Sequence, residues 1–408
     1  MNLVFTMSKF LTTGKVIKVS SMEEKIRPSW AEVDLDALRN NVREVKRVSE
    51  GKEIIATIKA DGYGHGAIDI YKAIMDEGIN RFAVAVITEA IELRKAGVDI
   101  PIIILGFTPK EFYDEVIDLE IEQTIYNYED AKILSDMAME KNNIAKIHIA
   151  IDTGMGRIGF LTTREQAREV HRITKLKGVR IVGIFTHFAT ADEEDKTYAN
   201  FQIEKFNEFN KYLEELGVNI PFKHVSNSAA IIDFPDLPYG GVRAGIMLYG
   251  YYPSNYVNKN NVSLIPVMSL KCKIVHLKKI QEGDYVSYGR LYRAPAERII
   301  GTLPIGYADG ISRALTGKAK VIVNGKVVPM VGRICMDQCM IDVTDVLDVK
   351  VGDEVILIGK DNIGNVITAD DIAEVLGTVN YEIICDISKR VPRVYTKSGK
   401  NFTVRNYV

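Results

Sequence analysis

From about residue 30 to about residue 250, short apolar runs rich in β-branched residues alternate with stretches whose apolar residues recur every three to four positions. The first pattern predicts strands and the second amphipathic helices. Strands are expected at EIIATIKA (53–60), RFAVAV (81–86), IPIIIL (100–105), EQTIY (122–126), AKIHIAID (145–152), VRIVGIFTHF (179–188), FKHVS (222–226) and around Val242. Helical stretches lie between them, such as Leu38, Val42 and Val45 behind Asp34 as N-cap, and KTYANFQIEKFNEFNKYLEELG. Nearly continuous apolar strands separated by helices mean a parallel sheet covered on both faces. Eight such units fit a (β/α)8 barrel, which typically takes about 250 residues; a doubly wound open sheet is the alternative. After about residue 262 the helical period fades, and β-rich runs follow one another with Gly, Pro and a hairpin signal at Asn324-Gly325. The expected fold class is therefore α/β: an N-terminal extension (1–26), a TIM-type barrel (27–262) and a mostly β C-terminal domain (263–408).

Composition narrows the partners. The chain has 408 residues with 52 Lys and Arg against 54 Asp and Glu, a formal charge of −2. That balance leaves no electrostatic footprint for nucleic acid or an anionic membrane surface, so small molecules or other protein chains are the expected partners. Four cysteines in so long a chain are no disulfide framework. Cys335 and Cys339 have CxxxC spacing and the histidines are scattered, so no metal site is expected. The thiols point to a reducing cytoplasm. No run reaches the length of a membrane span, and MNLVFTMSKFLTTGKVIKVSS has neither a continuous apolar region nor a small-residue cleavage site. Residues 1–26 read as an added tail, with Met22 as an alternative start.

Candidate chemistry clusters after the strands. Lys59-Ala60-Asp61-Gly62-Tyr63-Gly64-His65-Gly66 follows the first one. It is either a plain glycine-rich turn or, because such barrels build active sites on strand C-termini, a loop presenting a lysine for Schiff-base chemistry. Ser226-Asn227-Ser228 and Val242-Arg243-Ala244-Gly245-Ile246 follow strands seven and eight, where these barrels commonly bind phosphate. A lysine with a phosphate site across the same mouth points to pyridoxal phosphate (PLP). Arg157, in DTGMGR after strand five, can clamp a carboxylate, and His187 ends strand six. In the β domain VSYG, GYADG, GRICMDQ and NYE are each explicable as strand tyrosines and turn glycines.

Taken together the motifs resemble bacterial alanine racemases, PLP enzymes of fold type III. KADGYGHG, DTGMGRIG, THFATAD, NSAA, VRAGIMLYG, VSYG, IGYADG, GRICMDQ and NYE stand in that family's order from about Arg27 to the C-terminus. The resemblance implies that Lys59 holds PLP and is the base on the D-side of the substrate, and that Tyr288, from the second subunit of a homodimer, is the base on the L-side. It implies Arg243 at the pyridine nitrogen with His187 in support, and Tyr63, Asn227, Ser228, Gly245, Ile246 and Tyr381 as further cofactor ligands. Arg157 and the Met336 backbone N–H would hold the substrate carboxylate. Tyr307, Arg313, Arg333 and Asp192 would line a narrow entrance that favours alanine. The implied activity is interconversion of L- and D-alanine, supplying D-alanine for peptidoglycan in the cytoplasm. A serine or broad-specificity racemase, a fold-III decarboxylase and a non-catalytic PLP carrier are the alternatives.

One position departs from the pattern. Seven residues before Arg157, where many family members have a carbamylated lysine that orients the arginine, this chain has Ala150. Other members use an anion there, so what orients Arg157 stays open, with a bound chloride as the candidate.

Overall fold

The computed structural model describes residues 26–407. The extension expected at 1–26 lies, but for its last residue, outside the described residues. The described residues divide into two compact units, residues 35–267 and residues 268–407 together with 26–34.

Eight parallel strands form the first unit: β1 (Glu53–Thr57), β2 (Phe82–Val84), β3 (Ile102–Ile104), β4 (Glu122–Ile125), β5 (Ala145–Asp152), β6 (Val179–Phe185), β7 (Lys223–Ser226) and β8 (Gly241–Ala244). Each pairs in parallel with the next, and Val242 of β8 lies opposite Ile54 of β1, so the sheet is a closed barrel rather than an open one. All eight coincide with expected runs. Helices on the outside bury apolar stripes against it, as Leu38, Val42 and Val45 of Leu35–Val48 do. With both faces covered, strands such as Phe82–Val84 and Ile102–Ile104 are buried at every position.

The second unit is mostly β. Its main sheet runs in the order Lys326–Pro329, Lys320–Val323, Glu354–Lys360, Met268–Lys273, Ser29–Asp34, Arg393–Lys397, Lys400–Arg405. Asn324 and Gly325 both have positive φ (45° and 76°), which gives the hairpin between Val323 and Lys326 the twist that flanking strands favour. One strand departs from the expected domain bounds. Ser29–Asp34, placed in the barrel by the boundary at residue 27, pairs antiparallel with Met268–Lys273 and in parallel with Arg393–Lys397. Its alternating burial marks it as a half-exposed strand rather than a fully covered barrel strand. The unit also holds two short helices, Ala369–Leu376 and Asn380–Cys385.

Candidate active site

The residues singled out in the barrel unit all stand at or beyond the C-terminal ends of its strands. After β1 the backbone makes a left-handed turn: Ala60, Asp61, Gly62 and Tyr63 have φ of 51°, 53°, 64° and 51°, and Gly64 follows at 80°. For a residue with a Cβ this costs about 1–2 kcal/mol, and runs of it are not found without strong support. The support is local. Gly62 N–H donates to the Ile58 carbonyl (3.0 Å), Gly64 to Ala60 (2.9 Å) and Gly66 to Asp61 (2.8 Å), while Asp61 Oδ1 accepts from Ala67 N–H at 2.9 Å. Glu89, beyond β2, accepts the Ala60 N–H at 2.5 Å and the Ala85 N–H at 2.8 Å. Lys59 thus starts from a backbone fixed on both sides. Sequence marked the glycines but gave no sign of Glu89 or of the turn's handedness.

Tyr63 is buried, its ring 4.7 Å from that of Tyr249. Its hydroxyl meets two other loops at Gly245. A Cβ built there would lie 2.8 Å from Tyr63 Oη and 3.7 Å from Ser228 Oγ, and the Gly245 N–H donates to Ser228 Oγ at 3.0 Å. Asn227 caps the short helix Ser228–Asp233 by accepting the Ala230 N–H at 3.0 Å. Ile246 opens the single 3-10 turn Ile246–Tyr249. Two hydroxyls around a missing side chain make a cradle suited to an anion.

Arg243 is 4 % exposed although it carries a charge, and its guanidinium is held by two neighbouring strands. Nη2 donates to the carbonyls of Thr186 (2.7 Å) and Val225 (3.1 Å) and to His187 Nδ1 (3.2 Å). Nη1 donates to the His224 carbonyl and to His224 Nδ1 at 3.1 Å. Burial and the Arg157 charge bring its pKa down to about 9, which leaves it charged at neutral pH. Burial, and then the charges of Arg243, Arg157 and Lys59, depress His187 to about 3. His187 is therefore neutral, and the hydrogen-bond pattern puts its proton on Nε2.

Arg157 is exposed, on a loop closed by Asp152, whose Oδ1 accepts the N–H groups of Gly154 (2.9 Å) and Gly156 (3.0 Å). Ala150 is 2 % exposed within β5 and offers this loop no polar group. The base of the loop is tied to β6 by Gln202, fully buried on the helix Thr197–Glu215: its Nε2 donates to Thr153 Oγ1 (3.1 Å) and the His187 carbonyl (3.0 Å), and its Oε1 accepts the Ala189 N–H (2.9 Å). No motif pointed to Gln202. Asp192 is half-buried, and its carbonyl accepts the Ser254 hydroxyl.

The remaining residues stand in the β unit. Tyr288, 69 % exposed, rides on a loop with positive φ at Ser287 (67°), Gly289 (71°) and Arg290 (51°). The Ser287 hydroxyl donates to the Arg333 carbonyl at 2.5 Å, Tyr307 N–H to Cys335 (3.0 Å) and Ala308 N–H to Met336 (2.9 Å). These bonds tie together the loops that carry Tyr288, Tyr307, Arg333 and Met336, and Leu291, three residues after Tyr288, is exposed. Arg313, on the 3-10 turn Arg313–Leu315, and Tyr381, on the helix Asn380–Cys385, lie on other elements of that unit. Among the described residues no group of three His, Cys, Asp or Glu side chains is placed to hold a metal ion.

Residues 33–253 match the N-terminal domain of alanine racemases and residues 267–395 the C-terminal domain. The chain is 53 % identical over 387 residues to alanine racemase 1 of Clostridium acetobutylicum, covering 95 % of this chain and 100 % of the relative. It is 54 % identical over 388 residues to the alanine racemase of Clostridium novyi, with the same coverage. The solved alanine racemase of Clostridium difficile superposes with a TM-score of 0.90 at 44 % identity, over 93 % of this chain and 99 % of that one. Agreement across both domains, from motifs to fold, leads to one conclusion: the chain belongs to the alanine racemase family.

Proposed function

We propose that the protein interconverts L- and D-alanine, with PLP as cofactor and with sites shared between the two subunits of a homodimer. The alanine racemase family is PLP-dependent. The residues present fit that group. The Gly245 cradle suits a phosphate, and Lys59, Arg157 and Arg243 bring three positive charges to bear on His187, which suits a ligand and substrate with anionic ends. Tyr63, Asn227, Ser228, Gly245, Ile246 and Tyr381 would hold the phosphate end and Arg243 the ring nitrogen, with Lys59 as the covalent anchor. When bound, PLP supplies an electron sink that acidifies the substrate Cα–H.

Racemisation takes a proton from one face of Cα and returns one to the other, so two acid–base groups must flank it. Lys59 Nζ would serve the D-side and Oη of Tyr288, from the partner subunit, the L-side. Arg243 has only donors, so the atom it meets stays an unprotonated acceptor. That limits electron withdrawal and favours rapid reprotonation over side reactions. Arg157, with the Met336 N–H from the partner subunit, would fix the substrate carboxylate; a chloride ion is the candidate for orienting Arg157 in place of a residue at 150. Tyr307, Arg313, Arg333 and Asp192 would line the entrance.

The observation that carries this reading is the convergence of the fixed Lys59 turn, the Arg243 seat and the Gly245 cradle at one barrel mouth. The chain's few cysteines fit a reducing cytoplasm as the site of action, where D-alanine would feed peptidoglycan. Among the described residues no helix is long and apolar enough to cross a membrane. Incubation of the pure holoenzyme with L-alanine and with L-serine, following D-isomers and carbon dioxide, tests it. D-alanine should form well ahead of D-serine, with no carbon dioxide; carbon dioxide without D-alanine would make the enzyme a decarboxylase.

A further inference from the structure

The barrel interior, where branched apolar side chains are the rule, holds a line of polar ones. Glu122 opens β4, His148 lies in β5, His224 in β7 and Arg243 near the end of β8. Glu122 is 3 % exposed and both histidines 0 %. Arg243 Nη1 lies 3.1 Å from His224 Nδ1, His224 Nε2 3.0 Å from His148 Nδ1, and His148 Nε2 3.0 Å from Glu122 Oε2. Arg81, which also binds Glu53, donates to the same Glu122 oxygen. Room for the rings is provided for. A Cβ on Gly183 would stand 2.3 Å from His148 Nδ1, and one on Gly241 would stand 2.9 Å from His224 Cβ. Glycine inside a strand marks such close approaches. Phe185 stacks on the His224 ring at 4.9 Å and 17°, which fixes the plane of the imidazole.

The chemistry of the two ends sets every proton between them. Arginine only donates, and a carboxylate only accepts. Burial opposes the Glu122 charge, but the hydrogen bond from His148 and the charge of Arg81 outweigh it and hold the carboxyl below its ordinary range. Burial keeps both histidines neutral, so each ring carries one N–H. His148 must then donate from Nε2 to Glu122, leaving Nδ1 bare. That bare nitrogen accepts the Nε2–H of His224, whose own bare Nδ1 accepts from Arg243. We infer that Glu122 is a positioning residue for Arg243: through His148 and His224 it fixes which ring nitrogens carry protons, and therefore gives the guanidinium an acceptor at the cofactor end of the barrel. With the order reversed, His224 Nδ1–H would confront an arginine N–H at the same 3.1 Å. The effect on cofactor binding rests on the function proposed above; the proton order rests on this chain alone.

Holoenzyme labelled with ¹⁵N in its six histidines tests the order directly. Signals of the two rings are identified by their loss in His148→Gln and His224→Gln. Both should be Nε2–H tautomers from about pH 6 to about pH 9, across the range where an ordinary histidine titrates; an Nδ1–H tautomer or an imidazolium at either ring overturns the inference. For the consequence, Glu122→Met combined with Arg81→Met removes the acceptor without stranding a buried charge. His224 should then populate both tautomers, the visible band of bound PLP should shift, and its dissociation constant should rise about tenfold, the equivalent of one hydrogen bond. Glu122→Gln, which keeps a carbonyl oxygen for His148, should stay close to wild type. A double variant less stable to heat but unchanged in tautomer, band and affinity would reduce Glu122 to a structural role and overturn the inference; if that variant does not fold, the wild-type tautomers decide. Wild-type protein that binds no PLP would refute the proposed function, and the same ¹⁵N spectra would still judge the proton order.

Discussion

A methyl group at position 245 would stand 2.8 Å from the Tyr63 hydroxyl oxygen, inside the space the cradle keeps for a ligand. Gly245→Ala is therefore expected to weaken PLP binding about tenfold, the equivalent of one lost hydrogen bond, by fluorescence titration of the apoenzyme; unchanged affinity would mean that the cradle does not hold the cofactor. His187 supports a prediction about pH. Its native pKa of about 3 lies below its ordinary 6.5. Between those values the unfolded chain binds more protons at this site than the folded one, so stability falls as pH drops through that window and is level above it. The slope is at most about 1.4 kcal/mol per pH unit for one such group. Urea midpoints of wild type and His187→Asn should converge on acidification from pH 7 to pH 5, as the wild type alone loses this contribution; parallel curves would show that His187 titrates normally. Gly245 and His187 were both legible in the sequence as positions, through their motifs. Neither the contact that makes the glycine necessary nor the burial and three charges that keep the histidine neutral could be read there.

The left-handed turn after β1 is a device at the scale of the element. Four successive residues hold a conformation that three of them, lacking glycine's freedom, disfavour. Glu89 supplies acceptors to this turn and to the loop after β2 together. Glu89→Ala removes both, and a loss of about 1–3 kcal/mol in unfolding free energy is expected from the stranded N–H groups. The visible spectrum should also report partial loss of bound PLP as Lys59 loses its fixed start. Unchanged stability and spectrum would mean that the glycines alone hold the turn. The strands carrying these loops were predicted within a few residues because each is a bounded apolar run covered on both faces. Ser29–Asp34 was missed because its partners, Met268–Lys273 and Arg393–Lys397, are more than two hundred residues away and its own pattern covers only one face.

For the whole molecule the shared site is the proposal with the widest consequence. Tyr288, Leu291 and Met336 are 69 %, 58 % and 52 % exposed, on loops tied to one another by hydrogen bonds. If Tyr288 serves the partner subunit's cofactor, Lys59→Ala and Tyr288→Phe subunits should each be inactive as homodimers and should complement each other when mixed and refolded together. Random pairing puts one intact site in half of the dimers, so activity should return to about a quarter of wild type. No recovery, with mixed dimers shown to form, would place both bases on one chain.

Local and periodic information was enough for the sequence to determine the eight-strand rhythm, the change to β structure near residue 262 and the order of the motifs carrying Lys59, Arg157, Ser228 and Arg243. Such features depend on neighbours within a few residues, and motif order fixed the family resemblance. The tertiary structure decided what depends on separation in space: closure of the barrel by β8 on β1, the seat of Arg243 among His187, His224 and Thr186, and the alignment of Glu122 with His148 and His224. Histidines that look scattered along the chain become consecutive links because parallel strands bring residues 26 and 76 positions apart into hydrogen-bonding distance. A single buried polar residue carries no mark of its partner in the sequence; the partner is set by strand register and by the two glycines that let the rings approach.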